Sequence, residues 1–400
     1  MDVSIVIGAN YGDEGKGVIT DALASRRPES IVVLTNGGAQ RGHTVVSPFT
    51  GKPHTFHHFG SGTFRGCSTY FPETFILNPM QFVQEYRELL DEFGVGNVRT
   101  TRHRNCYFTT PFDMILNQDI ERWRKDGGAP YGTCGMGIWE TLVRNRFTEF
   151  SAFGSIDLFR CAPIEKRVEC LRKIRDEYCP RRYRQVTGQE WNPADYVTSD
   201  GLIDHFIQDV DFLCQTCPEE AKDYETLAKQ DASIIFENGQ GLLLDDEYAG
   251  KDKSIYSTPS RTGMRIVKGI LAILEQNYGK LANAVDAYYV SRPYMTRHGP
   301  GAIKNSTIGY LYSIFGYEDN TNFTNEFQGE FRQAPISQSC QIETIKQDLK
   351  NYMRPIRATR KTATLAYTHL DQQSPEKILF PDIAECGTPN GADAIKGLKW

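Results

Sequence analysis

The chain has 400 residues, 40% of them hydrophobic and 24% charged, with a formal net charge of −5. This balance excludes a disordered, collagen-like or coiled-coil chain, and the slight acidity gives no overall basic field for nucleic acid. No apolar run approaches the roughly 18 residues that a membrane span needs. The first residues lack the basic region and small-residue cleavage site of a secretory leader, so the expectation is a cytoplasmic protein with no membrane partner. Ten cysteines without regular spacing fit reduced thiols better than a disulfide framework. The one CxxC pair, Cys214 and Cys217, has no second ligand pair and reads as a helix end before Pro218.

In chain order, a strand is expected over Val3–Ile7, a glycine-rich loop over Gly8–Gly17, a helix over Val18–Ala24 and a strand over Ser30–Asn36. Val- and Ile-rich strands without alternation, joined through a helix, predict a buried parallel sheet. Asn78-Pro79 opens a helix, Phe82, Val83, Tyr86, Leu89, Leu90 and Phe93 follow at helical spacing, and Gly94 ends it. Ile164, Val168, Leu171, Ile174 and Tyr178 mark another amphipathic helix. Its many Lys and Arg residues are interleaved with Glu165, Glu169, Asp176 and Glu177, which reads as a solvated face rather than a nucleic-acid patch. Further strands are expected over Ser233–Glu237, Ala287–Ser291 and Thr364–Leu370, and a helix over Arg261–Gln276. Strand–helix alternation from end to end predicts one α/β architecture over residues 1–400, a large, mostly parallel central sheet flanked by helices, with a helical subdomain near 79–230.

The first loop reads Gly8-Ala-Asn-Tyr-Gly-Asp-Glu-Gly-Lys-Gly17. Its glycines let backbone N–H groups approach a phosphate, the next helix adds its positive N-terminus, and Lys16 adds a point charge. A Walker A loop would need glycine at Asn10 and Ser or Thr at Gly17. Two carboxylates, Asp13 and Glu14, sit inside this loop instead. A carboxylate there repels phosphate unless it binds a cation or works as a base. A second loop, Asn36-Gly-Gly-Ala-Gln-Arg-Gly-His-Thr44, follows the next strand, and its His43 is a candidate proton donor.

These residues resemble the adenylosuccinate synthetases. The resemblance rests on GDEGKG in the first loop, on GHT after a glycine pair, and on His57 with Ser61-Gly62. Later blocks fall in the family's order. Gly132-Thr-Cys-Gly-Met-Gly137 resembles GTTGRG, Phe236–Asp245 resembles FEGAQGxLLD, and Thr296–Gly301 resembles TRVGxG. Thr368-His-Leu-Asp371 resembles TKLD, and Cys386–Pro389 resembles STGP.

The resemblance implies a P-loop-like GTP-dependent ligase architecture in a homodimer, joining IMP to L-aspartate with GTP and Mg²⁺ through a 6-phosphoryl intermediate. Asp13 would be the base and a metal ligand, His43 the acid, Lys16 a phosphate anchor, and the Gly42 carbonyl a second metal ligand. Asn10, Gln40, Thr133, Cys134, Gln240 and Ser257 would face the nucleotide substrate, and Arg144 or Arg146 would cross from the partner subunit. Gly12, Glu14, Gly15, Gly17, Thr44, His369, Asp371 and Gly387 would bind GTP, with Asp371 reading guanine. Cys134 stands where the family has a second threonine, and His369 where it has lysine.

One departure is sharper. The family's arginine-rich loop for the aspartate carboxylates, TTGRRRRTG, matches best at Phe327–Pro335, where only Arg332 survives and Glu330 occupies an arginine position. Arginine grips carboxylate bidentately, whereas glutamate repels it. Arg297 and Arg261 are candidate replacements, or the amine donor is not aspartate. The chain also resembles a phage group, the 2-aminoadenylosuccinate synthetases, which act on dGMP and can carry serine in place of the loop aspartate. Asp13 argues for hypoxanthine. The alternatives are the same chemistry on (d)GMP, another purine nucleotide or another amine, and a GTP-binding protein that has lost ligation.

Overall fold

The computed structural model describes residues 1–231, 233–249, 263–301, 303, 326–327, 329–336, 338–369 and 392–397. Twelve strands are described: β1 Asp2–Gly8, β2 Ile31–Leu34, β3 His43–Val46, β4 Pro53–Phe56, β5 Ser68–Phe71 and β6 Thr100–Arg102, then β7 Ser233–Gly241, β8 Ala282–Ser291, β9 Tyr294–His298, β10 Phe331–Pro335, β11 Ala358–Thr368 and β12 Ala392–Gly397. Eight form one sheet in the order β12-β11-β8-β1-β7-β2-β5-β6. Every pairing in it is parallel except β11 with β12. The expected α/β class with a mostly parallel central sheet is therefore observed. Two antiparallel strand pairs, β3–β4 and β9–β10, stand apart from it.

Both faces of the sheet are covered, which is why its strands read as unbroken apolar runs. On one face Val6, Val32 and Leu34 pack with Ile19 and Ala24 of the helix Lys16–Arg26 and with helices Pro79–Asp91, Pro111–Asp126 and Gly201–Thr216. On the other, Val3, Ile5, Ile7 and Val33 pack with Val267, Ile270 and Leu274 of the helix Met264–Tyr278 and with Leu349 and Met353. Among the described residues no helix is long and apolar enough to cross a membrane.

Element boundaries differ from the sequence reading in physical ways. The first helix begins at Lys16, earlier than Val18, because Gly15 supplies the left-handed entry at φ 85°. The 79–91 helix opens as expected, with the Asn78 side chain accepting from the Gln81 amide at 3.2 Å. The helix from Ile164 does not stop at Tyr178: it passes through a π-helical turn and runs to Thr187. Its cations are matched by carboxylates, including Arg172 with Asp200 and Arg182 with Glu140. β8 and β11 begin earlier than expected because they pair with each other along most of their length. Cys214 and Cys217 are buried and unbonded at the end of the helix Gly201–Thr216.

Candidate active site

The chemistry-bearing segments follow the carboxyl ends of parallel strands, the edge where open α/β sheets bind ligands. The first loop leaves β1, the second leaves β2, Gln240 sits at the end of β7, β9 follows β8, and His369 follows β11. Close backbone approach joins them. A Cβ on Gly241 would lie 2.3 Å from the Asn10 carbonyl oxygen, and one on Gly17 would lie 3.0 Å from the His43 Cβ.

The two carboxylates of the first loop have separate placements. Glu14 is buried. Its Oε1 accepts from the amides of Asn10 (3.0 Å) and Gly12 (2.8 Å), and its Oε2 accepts from Lys16 Nζ at 2.9 Å. It fits because position 8 is glycine: a Cβ there would be 2.3 Å from Glu14 Oε2. Glu14 and Lys16 therefore close the loop on itself. Asp13 instead adopts a left-handed backbone, φ 61°, which Asp tolerates better than most residues. Its side chain keeps 26% exposure and lies 3.3 Å from His298 Nε2. Burial raises its carboxyl, but His298, Lys16 and Arg292 outweigh that and hold it below the ordinary carboxylate range. Its carbonyl accepts from Arg292 Nε, and the Gly12 carbonyl accepts from Thr296 Oγ1 at 2.8 Å.

His43 is the first residue of β3, not a loop residue as expected, because it pairs with Phe56 across the hairpin. Its Nδ1 lies 2.8 Å from Glu237 Oε1 and 2.7 Å from Arg41 Nη2. Glu237 also pairs with Arg41 at 2.7 Å and accepts from the Ser61 hydroxyl at 2.5 Å and the Ser61 amide at 3.2 Å. Burial and the Arg41 charge push the imidazole down to about 4, against the pull of Glu237, so resting His43 is neutral. Glu237 is itself held far below the usual carboxylate range: burial opposes this, and Arg41 and His43 overcome it. Among the described residues His43 Nε2 is buried without a hydrogen-bond partner.

The remaining candidates divide. Gln40 and Gln240 are half-buried and Gly42 is exposed. Thr44 shares a hydroxyl contact with Thr55 at 2.9 Å. Thr133 and Cys134 lie in the loop before the helix Ile138–Arg144, and burial pushes the Cys134 thiol up to about 11. The Thr368 hydroxyl donates to the Glu14 carbonyl at 2.7 Å and lies 2.8 Å from His369 Nδ1, which docks this block on the first loop. Arg332 stands opposite Arg297 in the β9–β10 ladder and donates to the Gly301 carbonyl at 2.8 Å. Arg297 is buried, lies 4.8 Å from the Tyr11 ring, and has its guanidinium pulled down by burial and by Arg332. Glu330 is exposed. Ser257, Arg261, Asp371 and Gly387 lie outside the described residues.

Two expectations are corrected. The Asn10 side chain does not face a substrate: it donates to Ser291 Oγ and accepts from Gln341 Nε2, both at 3.0 Å, and is buried. Arg144 does not reach toward a partner. It is fully buried, paired with Asp113 at 2.8 Å and donating to the Phe108 and Phe150 carbonyls, because it lies on the inner face of its helix. Arg146 is exposed, 5.3 Å from the Trp139 ring.

The sequence reading did not single out Glu237, Arg41, Arg292 or His298. A carboxylate ending the apolar run Ser-Ile-Ile-Phe-Glu237 was the available signal, since a buried strand rarely holds an unpaired charge.

Residues 5–322 match the family model for adenylosuccinate synthetase. Curated relatives include the adenylosuccinate synthetases of Crocosphaera subtropica, 28% identical over 76% of this chain and 63% of theirs, and of Microcystis aeruginosa, 27% identical over 78% and 64%. The matched region thus spans under two thirds of the length of those relatives. Among solved structures, the fully ligated adenylosuccinate synthetase of Plasmodium falciparum superposes with a TM-score of 0.65 at 20% identity, covering 94% of this chain and 78% of that one. The succinoaminodeoxyadenylate synthetase of cyanophage S-2L, bound to dGMP and dATP, gives 0.51 at 15% identity, covering 88% and 82%. With the family model matching well over half its length, the chain belongs to the adenylosuccinate synthetase family.

Proposed function

We propose that this chain is a GTP-dependent ligase that joins IMP to L-aspartate, giving adenylosuccinate through a 6-phosphoryl intermediate. The observation that carries the reading is the pairing of two unlike groups at one sheet edge. Asp13 is held ionised yet partly exposed, and the neutral His43 is backed by the buried Glu237. One suits a base and the other a group that meets developing negative charge.

In the first step Asp13 takes the purine N1 proton. The 6-oxygen attacks the γ-phosphorus, the bond to the β–γ bridging oxygen breaks, and GDP leaves with that electron pair. In the second step the amine nitrogen attacks C6 and releases a proton, and inorganic phosphate leaves with the C6–O electron pair. With phosphate bound, His43 can take a solvent proton at Nε2 and donate that hydrogen bond to the transferring phosphoryl group, and Glu237 behind it stabilises the imidazolium so formed. Lys16 and the first-loop amides that Glu14 does not hold orient phosphate oxygens.

Magnesium fits the donor set. The ionised Asp13 carboxylate and the exposed Gly42 carbonyl are hard oxygens, and among the described residues no cluster of three or more His, Cys, Asp or Glu competes for a metal. Such an ion takes few protein ligands; Asp13 and the Gly42 carbonyl would hold it, and it would supply positive charge against the phosphates. Arg146, exposed near the 132–137 loop, is the candidate to cross into the partner's site of a homodimer. Asp371 is the candidate guanine reader, and Arg332 and Arg297 are the candidate carboxylate anchors for the amine donor.

The test is a substrate matrix of IMP, dIMP, GMP and dGMP against GTP and ATP, with several amino acids, read by mass spectrometry. Adenylosuccinate from IMP, GTP and aspartate is expected. A product from dGMP, or use of ATP as well as GTP, would move the assignment to the chemistry named for the cyanophage neighbour. No ligation with any combination would sink the reading.

A further inference from the structure

Arg41 is a buried cation near this edge that the mechanism above leaves unused. It is 2% exposed and sits on the turn between β2 and β3, next to the exposed Gly42 and two residues before His43. Its Nη2 pairs with Glu237 at 2.7 Å. Among the described residues its Nε and Nη1 have no hydrogen-bond partner, although both are buried.

A purely structural ion pair does not account for this. Glu237 accepts from Ser61 Oγ, the Ser61 amide, Arg41 and the His43 ring, which fills its two oxygens. It has no capacity for the other two nitrogens of Arg41. Each buried unsatisfied donor is worth roughly 1–3 kcal/mol of lost stability, more on a charged group, so a fold gains nothing from holding two there. An anionic oxygen reaching the Nη1 edge would satisfy a donor there. Guanidinium suits a phosphoryl group, because it is planar and permanently charged. Arg41 touches the ring whose other nitrogen, Nε2, is also buried and unpartnered. The Cβ of His43 lies close to Gly17 at the start of the first helix.

We propose that Arg41 is a catalytic residue for phosphoryl transfer, donating a hydrogen bond from Nη1 to an oxygen of the γ-phosphoryl group as it passes from GTP to the purine 6-oxygen. It transfers no proton. The O6–P bond forms, the bond to the β–γ bridging oxygen breaks onto GDP, and Arg41 neutralises charge on the group in flight. It supplies from within the chain what arginine fingers supply elsewhere. The proposal rests on the ligase reading of the same site.

Wild type and Arg41→Lys separate the two ideas. Lysine keeps a cation beside Glu237 but lacks the guanidinium donor at Nη1. Two measurements are made: oxygen-18 positional isotope exchange in GTP with IMP and no amine, and GDP affinity with and without aluminium fluoride, a mimic of the transferring phosphoryl group. The expected result is exchange at least a hundredfold slower in Arg41→Lys, GDP affinity within about threefold of wild type, and loss of the extra affinity aluminium fluoride gives. Guanidinium ion should restore part of the exchange in Arg41→Ala. If wild type shows no exchange with any purine nucleotide, the ligase reading fails, while the aluminium fluoride comparison still judges Arg41. The proposal is overturned if folded Arg41→Lys keeps exchange within threefold and the full aluminium fluoride effect, or if that effect is absent in wild type. Should Arg41→Lys fail to fold, Arg41→Gln with Glu237→Gln avoids a lone buried charge and is read against Glu237→Gln alone. Retention of the aluminium fluoride effect in the double variant overturns the proposal, and its loss there but not in Glu237→Gln, with GDP binding intact, supports it.

Discussion

Asp13→Asn tests the centre of the mechanism with the least disturbance. Asparagine keeps the left-handed backbone at φ 61° accessible, whereas alanine would add roughly 1 kcal/mol of strain at that position. The amide is close in size to the carboxylate, still reaches His298, and has no charge and no basicity. A positioned base contributes about 10²–10⁴ in rate, or about 3–5 kcal/mol on the barrier. The effect on folding should be small. Because the folded carboxyl lies below its ordinary value, Asp13 adds stability at neutral pH that is lost as pH falls through that lower value. With 26% exposure and partners that include solvent-screened groups, that contribution is about 1 kcal/mol or less. The assay is kcat with saturating IMP, GTP and aspartate, beside a thermal melt. We expect turnover down at least a hundredfold with the melting temperature within a few degrees. A folded Asp13→Asn that retains more than about a tenth of wild-type kcat would remove Asp13 as the base.

Three further outcomes follow from other sites. Arg144→Met should lose about 3–5 kcal/mol in denaturant unfolding, because Asp113 is left buried and unpaired, while Arg146→Ala should melt like wild type; equal melts would refute the internal role of Arg144. Asp348 is buried between the hydroxyls of Tyr248 and Tyr289, and burial raises its carboxyl to about 6. The folded state therefore holds its proton more tightly than the unfolded one, so its contribution is greatest below pH 4 and about 3 kcal/mol of it is lost as pH rises through 6. Asp348→Asn should flatten that part of the stability–pH curve, and an unchanged curve would refute it. Glu330→Arg should lower KM for aspartate and Arg332→Ala should raise it; tight wild-type binding indifferent to both changes would place the carboxylate anchors elsewhere.

The sheet was legible because its strands are buried on both faces and carry no alternation to confuse with a surface strand. The loop after β1 was legible because glycine clusters and charges mark it strongly. The division of labour inside that loop was not. Asp13 and Glu14 are adjacent and chemically alike, and what sorts them is the space beside Gly8 together with the left-handed turn at Asp13. Arg144 and Arg146 posed the same problem on a helix end, where two residues of separation turn one side chain inward and the other outward. Asn10 sits in a loop that reads as ligand-facing, yet Ser291 and Gln341, each nearly 300 residues or more away in sequence, claim its amide. The place of Glu237 depended on β7 inserting between β1 and β2, a crossover no local pattern announces.

The base assignment follows from charge and exposure more than from the order of residues along the chain. Three carboxylates sit at the mouth of the sheet, and each has a basic side chain beside it. Glu14 has Lys16, Glu237 has Arg41, and Asp13 has His298 with Arg292 nearby. The side chains of the first two are 1% and 0% exposed, with their oxygens already accepting from backbone amides and hydroxyls. Neither has an oxygen to spare for a substrate proton. Asp13 alone of the three keeps open surface while remaining ionised, and the side chain in contact with it, His298, is on β9. The β9–β10 pair also carries Arg297 and Arg332, the proposed anchors of the amine donor. The side chain expected to start the first step and the residues expected to hold the second substrate are thereby joined through His298. A change in how the amine donor binds should reach the Asp13 side chain through His298, and its loop through Thr296 on Gly12 and Arg297 on Tyr11.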